Sequence, residues 1–216
     1  MYKAILFDLD GTLLNTLGDL CESVNYALEA CGYPKRSIEE VRRFIGNGVI
    51  KLMERSTPDG ISKDSQKKCF NLFRLHYLEH MRDSTRPFEN IPELLEEIKK
   101  RGVLTAVVSN KLHSAVVGLC DEFFGDNITC AFGVKNESER KPSPANVFKA
   151  IERLGVTAEQ TVYVGDSEVD VQTANNAGLD CIGVTWGYRD REELTEAGAR
   201  FVVDSPDEIL DVIRNA

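Results

Sequence analysis

Five short apolar runs, separated by longer segments and mostly followed by polar residues, constrain this 216-residue chain more than any other feature. They are Ala4-Ile5-Leu6-Phe7, Leu104-Thr105-Ala106-Val107-Val108, Thr161-Val162-Tyr163-Val164, Cys181-Ile182-Gly183-Val184 and Phe201-Val202-Val203. From about residue 87 onward, strand-length apolar segments alternate with helical ones, which argues for a parallel sheet with helices on its faces. Ser143 before Pro144, Thr157-x-x-Gln160, and Ser205 before Pro206 read as helix starts, because side-chain oxygens and an early proline suit the unpaired amides there. The expected class is α/β, a Rossmann-like parallel-sheet core.

The first run is set apart from the others by residues 16–86, which carry only helical signals. Leu17, Leu20, Val24, Ala27 and Leu28 recur at helical spacing until Gly32 stops them. Ser37-x-x-Glu40 has the form of a capping box. Gly46-Asn47-Gly48 then interrupts the helix, and the pattern resumes over 49–55. A longer helix over 63–82 sets Phe70, Phe73, Tyr77 and Leu78 on one side. The expected organisation is a core domain of residues 1–15 and 87–216 with an inserted all-helical domain of residues 16–86. Because one strand precedes the insertion and the rest follow it, the insertion is expected above the carboxyl ends of the strands, where open α/β sheets bind ligands.

Polar clusters at the predicted strand ends supply the chemistry. Asp8 and Asp10 follow the first run in Asp8-Leu9-Asp10-Gly11-Thr12. Alternate side chains of an extended strand share a face, so the two carboxylates point together if the extension persists, and Gly11 lets the chain turn away. Two close anions call for a cation, and Mg²⁺ takes hard oxygen ligands together with substrate phosphate. Ser109-Asn110-Lys111 ends the second run, where a hydroxyl and a helix start suit phosphate oxygens. Lys141, in Arg140-Lys141-Pro142-Ser143-Pro144, offers an ammonium for a phosphoryl group. Gly165-Asp166-Ser167-Glu168-Val169-Asp170 puts Asp166 at a strand end and Asp170 a helical turn later. Each has a bland reading alone, as an Asp-Gly turn, a helix cap, a surface lysine or first-turn acids. Their joint occurrence at strand ends points to metal-assisted phosphoryl chemistry.

A formal charge of −9 argues against nucleic acid or an anionic membrane as partner, since both are approached through clustered Lys and Arg. The expected partner is a small-molecule phosphate ester. No segment approaches the ~20 apolar residues of a membrane span. Met1-Tyr2-Lys3 runs straight into a strand without a signal-peptide pattern. Six scattered cysteines with no Cys-x-x-Cys pair read as reduced core residues. These features point to a cytoplasmic protein, with monomer and homodimer both open.

By these four clusters, in order from Asp8 to Asp170, the chain resembles the haloacid dehalogenase (HAD) superfamily of aspartate-nucleophile phosphotransferases over nearly its whole length. The 16–86 insertion resembles the helical cap domain of that superfamily. Within it, Arg42-Arg43-Phe44-Ile45-Gly46-Asn47-Gly48 and Leu52-Met53-Glu54-Arg55 resemble the phosphoglycolate phosphatase branch, as does Gly165-Asp166-Ser167-x-x-Asp170 followed by Ala174 and Ala177-Gly178.

The resemblance implies that Asp8 is the nucleophile, forming an aspartyl phosphate, and that Asp10 protonates the leaving oxygen and then activates water. It implies Mg²⁺ held by the carboxylates of Asp8 and Asp166 and the backbone carbonyl of Asp10. Phosphoryl oxygens would be bound by Ser109, Lys141 and backbone amides near Leu9, Gly11 and Asn110, with Asp170 orienting Lys141 or a water. Arg43, Asn47, Gly48 and Lys51, with Arg55, are candidates for substrate selection, and 2-phosphoglycolate is the first expected substrate. Asn15 departs from the acid that many relatives carry there. Pyrophosphatase, sugar phosphomutase and other sugar-phosphate phosphatase activities remain open. A lysine-based phosphonate hydrolase fits poorly with Asp10, and a phosphorylated switch module fits poorly with the chain length and the insertion.

Overall fold

The computed structural model describes residues 2–215. In chain order the elements are β1 (Ala4–Phe7), β2 (Leu14–Asn15), α1 (Leu17–Ala30), α2 (Ile38–Phe44), α3 (Gly48–Ser56), α4 (Lys63–His80) and β3 (Arg86–Pro87). There follow α5 (Ile91–Lys100), β4 (Leu104–Leu112), α6 (His113–Phe123), β5 (Cys130–Val134), α7 (Ala145–Leu154), β6 (Thr161–Gly165) and α8 (Glu168–Ala177). The chain closes with β7 (Asp180–Val184), α9 (Arg191–Glu196), β8 (Phe201–Val203) and α10 (Pro206–Asn215). It divides into two compact units, Met1–Leu14 with Pro87–Ala216, and Asn15–Arg86.

The first unit is a six-stranded sheet of order β5-β4-β1-β6-β7-β8, with every neighbouring pair parallel. Side chains alternate across it, and both faces are covered, as parallel sheets require. Ile5, Phe7, Val107, Val164 and Ile182 pack with Ile91, Leu94 and Ile98 of α5, Leu119 of α6 and Ile209 of α10. Ala4, Leu6, Ala106, Val108 and Tyr163 face the other way, onto Val147 and Ala150 of α7 and Val171 and Ala174 of α8.

The chain builds outward on one side of β1 through β4 and β5, then crosses to the other side with β6, β7 and β8. The reversal therefore falls at β1, the position at which doubly wound sheets open a crevice beyond their carboxyl ends. Register aligns the three central strands, since Phe7 pairs with both Val107 and Val164. The residues immediately beyond are Asp8, Val108-Ser109 and Gly165-Asp166.

The sheet has six strands where the sequence pattern indicates five. The unexpected one, β5, is an edge strand whose first three residues are only half-buried, so its apolar signal is weak. Gly133 breaks the run further, and it does so for space: a Cβ there would lie 2.7 Å from the His113 Cα. Helix α7 begins at Ala145, with Pro144 in the cap position and the Ser143 hydroxyl accepting the Ala145 amide at 3.4 Å. Thr157 and Gln160 bracket a single 3₁₀ turn rather than opening a longer helix.

The second unit is all-helical. Leu20, Val24, Ala27 and Leu28 of α1, Val41 of α2, Leu52 and Met53 of α3, and Cys69, Phe73 and Tyr77 of α4 are buried. The Ser37–Glu40 capping box is formed in both directions, at 3.2 and 2.8 Å. Arg55 donates to the Phe44 carbonyl and to Asn47 Oδ1, tying down the short link between α2 and α3. Asp19, buried in the first turn of α1, accepts from the amides and hydroxyls of both Ser84 and Thr85. All six cysteines are free thiols. Among the described residues no helix is long and apolar enough to cross a membrane.

Candidate active site

The site lies within the first unit, where β1, β4 and β6 end side by side. Asp8 leaves β1 with its amide bonded to the Val164 carbonyl at 2.9 Å, which holds its backbone in the line of the sheet. Its carboxylate is buried, and the Lys141 ammonium stands 2.8 Å from Oδ1. That approach is close enough for an ion pair but lies outside hydrogen-bond geometry, so Oδ1 is a buried oxygen with no hydrogen bond. Burial pushes the Asp8 carboxyl up to about 7; Lys141 works against this, while Asp170 and Asp10 add to it.

Lys141 is held from two sides. Asn110 accepts its amide at 2.7 Å and donates to its carbonyl at 3.4 Å, so the Asn110 side chain is committed to the Lys141 backbone. The ammonium reaches Asp8, Asp170 Oδ1 at 2.7 Å and the Tyr163 hydroxyl at 3.4 Å. Burial opposes its charge, but Asp170 and Asp8 outweigh that cost and hold the lysine well above its ordinary range. Tyr163 in turn donates to the Val108 carbonyl at 3.0 Å. Asp170 spends its other oxygen on the Ser167 amide and hydroxyl, closing the first turn of α8.

Asp166 is equally buried, accepting from the Thr12 hydroxyl at 3.1 Å and from the Tyr188 amide at 2.8 Å. Burial raises its carboxyl well above the usual range, with Asp170 and Asp8 adding to the shift. Ligand atoms of Asp8, Asp166 and Asp170 lie within 4.8 Å of one another. Asp10, the fourth acid, pairs through Oδ1 with the Lys111 ammonium at 2.8 Å. Four acids thus face two ammoniums, so the acids outnumber the cations gathered with them. This imbalance, the orphaned Asp8 Oδ1 and the all-oxygen donor set fit a hard divalent cation such as Mg²⁺. Asp8 Oδ1 has no hydrogen bond, and Asp166 is held by two neutral donors, so no ammonium compensates its charge; Asp170, by contrast, is paired with Lys141.

Ser109 is buried beside them, its oxygen accepting the Lys111 amide at 3.3 Å. The Gly11 amide, expected to be bare for a phosphoryl oxygen, instead donates to the Leu14 carbonyl at 2.9 Å. The reason is local: with φ of +89° at Gly11, the chain folds straight back into a tight loop that uses that donor. Gly11 serves here by lacking a side chain, since a Cβ would collide with the Asp166 carboxylate.

Three participants escaped the sequence reading. Lys111 stood in a motif already singled out, with no role attached. Tyr163 sits inside an apolar run and reads as core. The Trp186-Gly187-Tyr188 segment after β7 supplies the Tyr188 amide to Asp166 and anchors itself through the Trp186 indole on the Thr12 carbonyl at 3.0 Å. The remaining candidates, Arg43, Asn47, Gly48 and Lys51, belong to the helical unit, where Lys51 pairs with Glu54 and Asn47 with Arg55.

Residues 5–184 match the model of the haloacid dehalogenase-like hydrolase family. A phosphoglycolate phosphatase of Vibrio parahaemolyticus is 33% identical over 222 residues, covering 98% of this chain and 96% of its own. One from Aquifex aeolicus is 32% identical, covering 99% and 97%. A solved structure from Lactobacillus delbrueckii subsp. bulgaricus superposes with a TM-score of 0.93 at 33% identity, over 98% of both chains. With the parallel sheet and the acids gathered at the ends of its central strands, these likenesses establish that the chain belongs to the haloacid dehalogenase-like hydrolase family.

Proposed function

We propose that this hydrolase is a Mg²⁺-dependent phosphatase of small phosphomonoesters, 2-phosphoglycolate first among them, acting through an aspartyl phosphate on Asp8. The observation that carries the proposal is Asp8 itself, a buried carboxylate whose Oδ1 lacks a hydrogen bond and stands 2.8 Å from a buried ammonium. Asp8 attacks phosphorus, and the phosphorus–oxygen bond to the alcohol breaks. Asp10 gives its proton to the departing oxygen, then takes one from the water that hydrolyses the acyl phosphate; splitting the reaction in two lowers each barrier. Ser109 and Lys141 bind phosphoryl oxygens, and Asp170 and Asn110 keep Lys141 aimed. Bound Mg²⁺, held by Asp8, Asp166 and the Asp10 carbonyl, supplies positive charge that lets an anionic nucleophile meet an anionic ester.

The substrate choice is supported by the relatives from Vibrio parahaemolyticus and Aquifex aeolicus that bear the phosphoglycolate phosphatase name. We assign substrate selection to the helical unit as a cap domain, through Arg43, Asn47, Gly48 and Lys51. Arg43 is the first choice for the substrate carboxylate, since Lys51 and Asn47 already have partners. The test is phosphate release from a panel of 2-phosphoglycolate, sugar phosphates, pyrophosphate and nucleotides, with and without Mg²⁺, beside Asp8→Asn. Selective Mg²⁺-dependent turnover of 2-phosphoglycolate that disappears in the variant is expected. Preference for another ester removes the substrate assignment and keeps the mechanism, whereas full activity in Asp8→Asn removes the mechanism.

A further inference from the structure

We propose that Lys111 is a positioning residue for the leaving-group step, acting through Asp10 by holding its carboxyl for proton transfer. The inference rests on the reading of Asp10 as the acid and base. Lys111 ends the Ser109-Asn110-Lys111 stretch of β4, and its side chain is 5% exposed. An ammonium so enclosed costs free energy unless it is paired. Its carboxylate partner is Asp10, 101 residues away in sequence, at 2.8 Å from one oxygen.

The two buried lysines take three of the four acids between them. Lys141 takes Asp8 and Asp170, and Lys111 takes Asp10. The pairing is built by the strand end. The pairing of β4 with β5 shifts register between Val108 and Leu112, and the Lys111 amide is fixed on the Ser109 hydroxyl at 3.3 Å. An aspartate after the end of a strand is otherwise free to rotate about two torsions. Fixing one oxygen leaves the other to serve a reacting oxygen from a single orientation, and orientation is a large part of what a positioned acid contributes.

Leaving-group dependence separates this role from its rivals. An alkoxide needs protonation as it departs, whereas 4-nitrophenolate leaves without it. The measurement is kcat/KM, which reports the steps up to alcohol release, for 2-phosphoglycolate (or the alkyl ester that replaces it in the panel) and for 4-nitrophenyl phosphate. Wild type, Lys111→Met, Lys111→Arg and Asp10→Asn are compared, with inhibition by inorganic phosphate measured for each. Lys111→Met is expected to lower kcat/KM about 100-fold for the alkyl ester and less than about 5-fold for the nitrophenyl ester, within the range general acids supply. Lys111→Arg is expected to restore most of the alkyl-ester loss, with phosphate inhibition unchanged. Equal losses on both esters overturn the proposal: with weakened phosphate inhibition Lys111 is a phosphate ligand, and with unchanged inhibition the pair is structural. If Lys111→Met fails to fold, Lys111→Gln, which keeps a donor without the charge, takes its place under the same criteria. Should Asp10→Asn itself lose both esters equally, the acid reading of Asp10 fails, an outcome distinct from failure at Lys111.

Discussion

Asp166 shows how little room the site leaves at the scale of one residue. The backbone closes on it from two directions: a Cβ added at Gly11 would collide with its carboxylate, and one added at Gly187 would collide with its side chain and with the Gly11 carbonyl. Two donors, the Thr12 hydroxyl and the Tyr188 amide, then fix the carboxylate oxygens. Glycine at 187 is therefore a packing requirement, because backbone and a buried acid cannot yield as a surface side chain does. Gly187→Ala is expected to destabilise the protein by about 1–3 kcal/mol through overpacking. It is also expected to lower kcat/KM about 100-fold, since small displacements of positioned groups are costly. Urea unfolding and steady-state kinetics check both numbers; a variant with wild-type kcat/KM contradicts the argument.

At the scale of elements, the helical unit depends on a buried acid of its own. Asp19 opens α1, and its two oxygens take four donors from Ser84 and Thr85, where the chain leaves the unit. Burial raises its carboxyl, but these hydrogen bonds outweigh burial and hold it below the usual aspartate range. The folded state thus favours the ionised form; the resulting stability is present above the unfolded value of about 3.9 and is lost as pH falls through the depressed folded value. Asp19→Ala strands buried donors and is expected to cost roughly 3 kcal/mol near neutral pH. Thermal unfolding should show the gap between wild type and variant shrinking as pH drops from 6 to 3. Nothing in the sequence around Asp19 announces this cluster, because its donors lie 65 and 66 residues away. The Ser37–Glu40 box, by contrast, was legible because both of its hydrogen bonds close within three residues. The same distinction separates β1, readable from four successive buried apolar residues, from β5, an edge strand broken by Gly133. It also explains Tyr163 and Lys111: their side chains meet Lys141 and Asp10 only once β6 and β4 are set in register beside β1. Spacing along the chain revealed which acids end strands, and it carried no information on which lysine each would meet.

Over the whole molecule, the crowding of acids makes stability a function of pH and of cations. The chain already carries a formal charge of −9, and in its site the acids outnumber the ammoniums. Burial, with Asp170 and Asp10 contributing, lifts the Asp8 carboxyl to about 7 against the pull of Lys141. The folded state therefore binds a proton that the unfolded chain releases near 3.9. Between those values stability falls as pH rises, at up to about 1.4 kcal/mol per pH unit for one proton, and above about 7 the loss is complete. Removing the Asp8 carboxyl removes its share of the slope, so the advantage of cation-free Asp8→Asn over cation-free wild type is expected to be larger at pH 8 than at pH 5. A divalent cation is attracted to the ionised form of a carboxylate, so millimolar Mg²⁺ is expected to raise the wild-type melting temperature more at pH 8 than at pH 5, with little effect on Asp8→Asn. Thermal unfolding of both proteins across pH 5–8.5, with Mg²⁺ or with chelator, measures all three differences. A Mg²⁺ shift that is the same at both ends of the range, or the same in both proteins, would mean that the cation binds somewhere other than the acids gathered around Asp8.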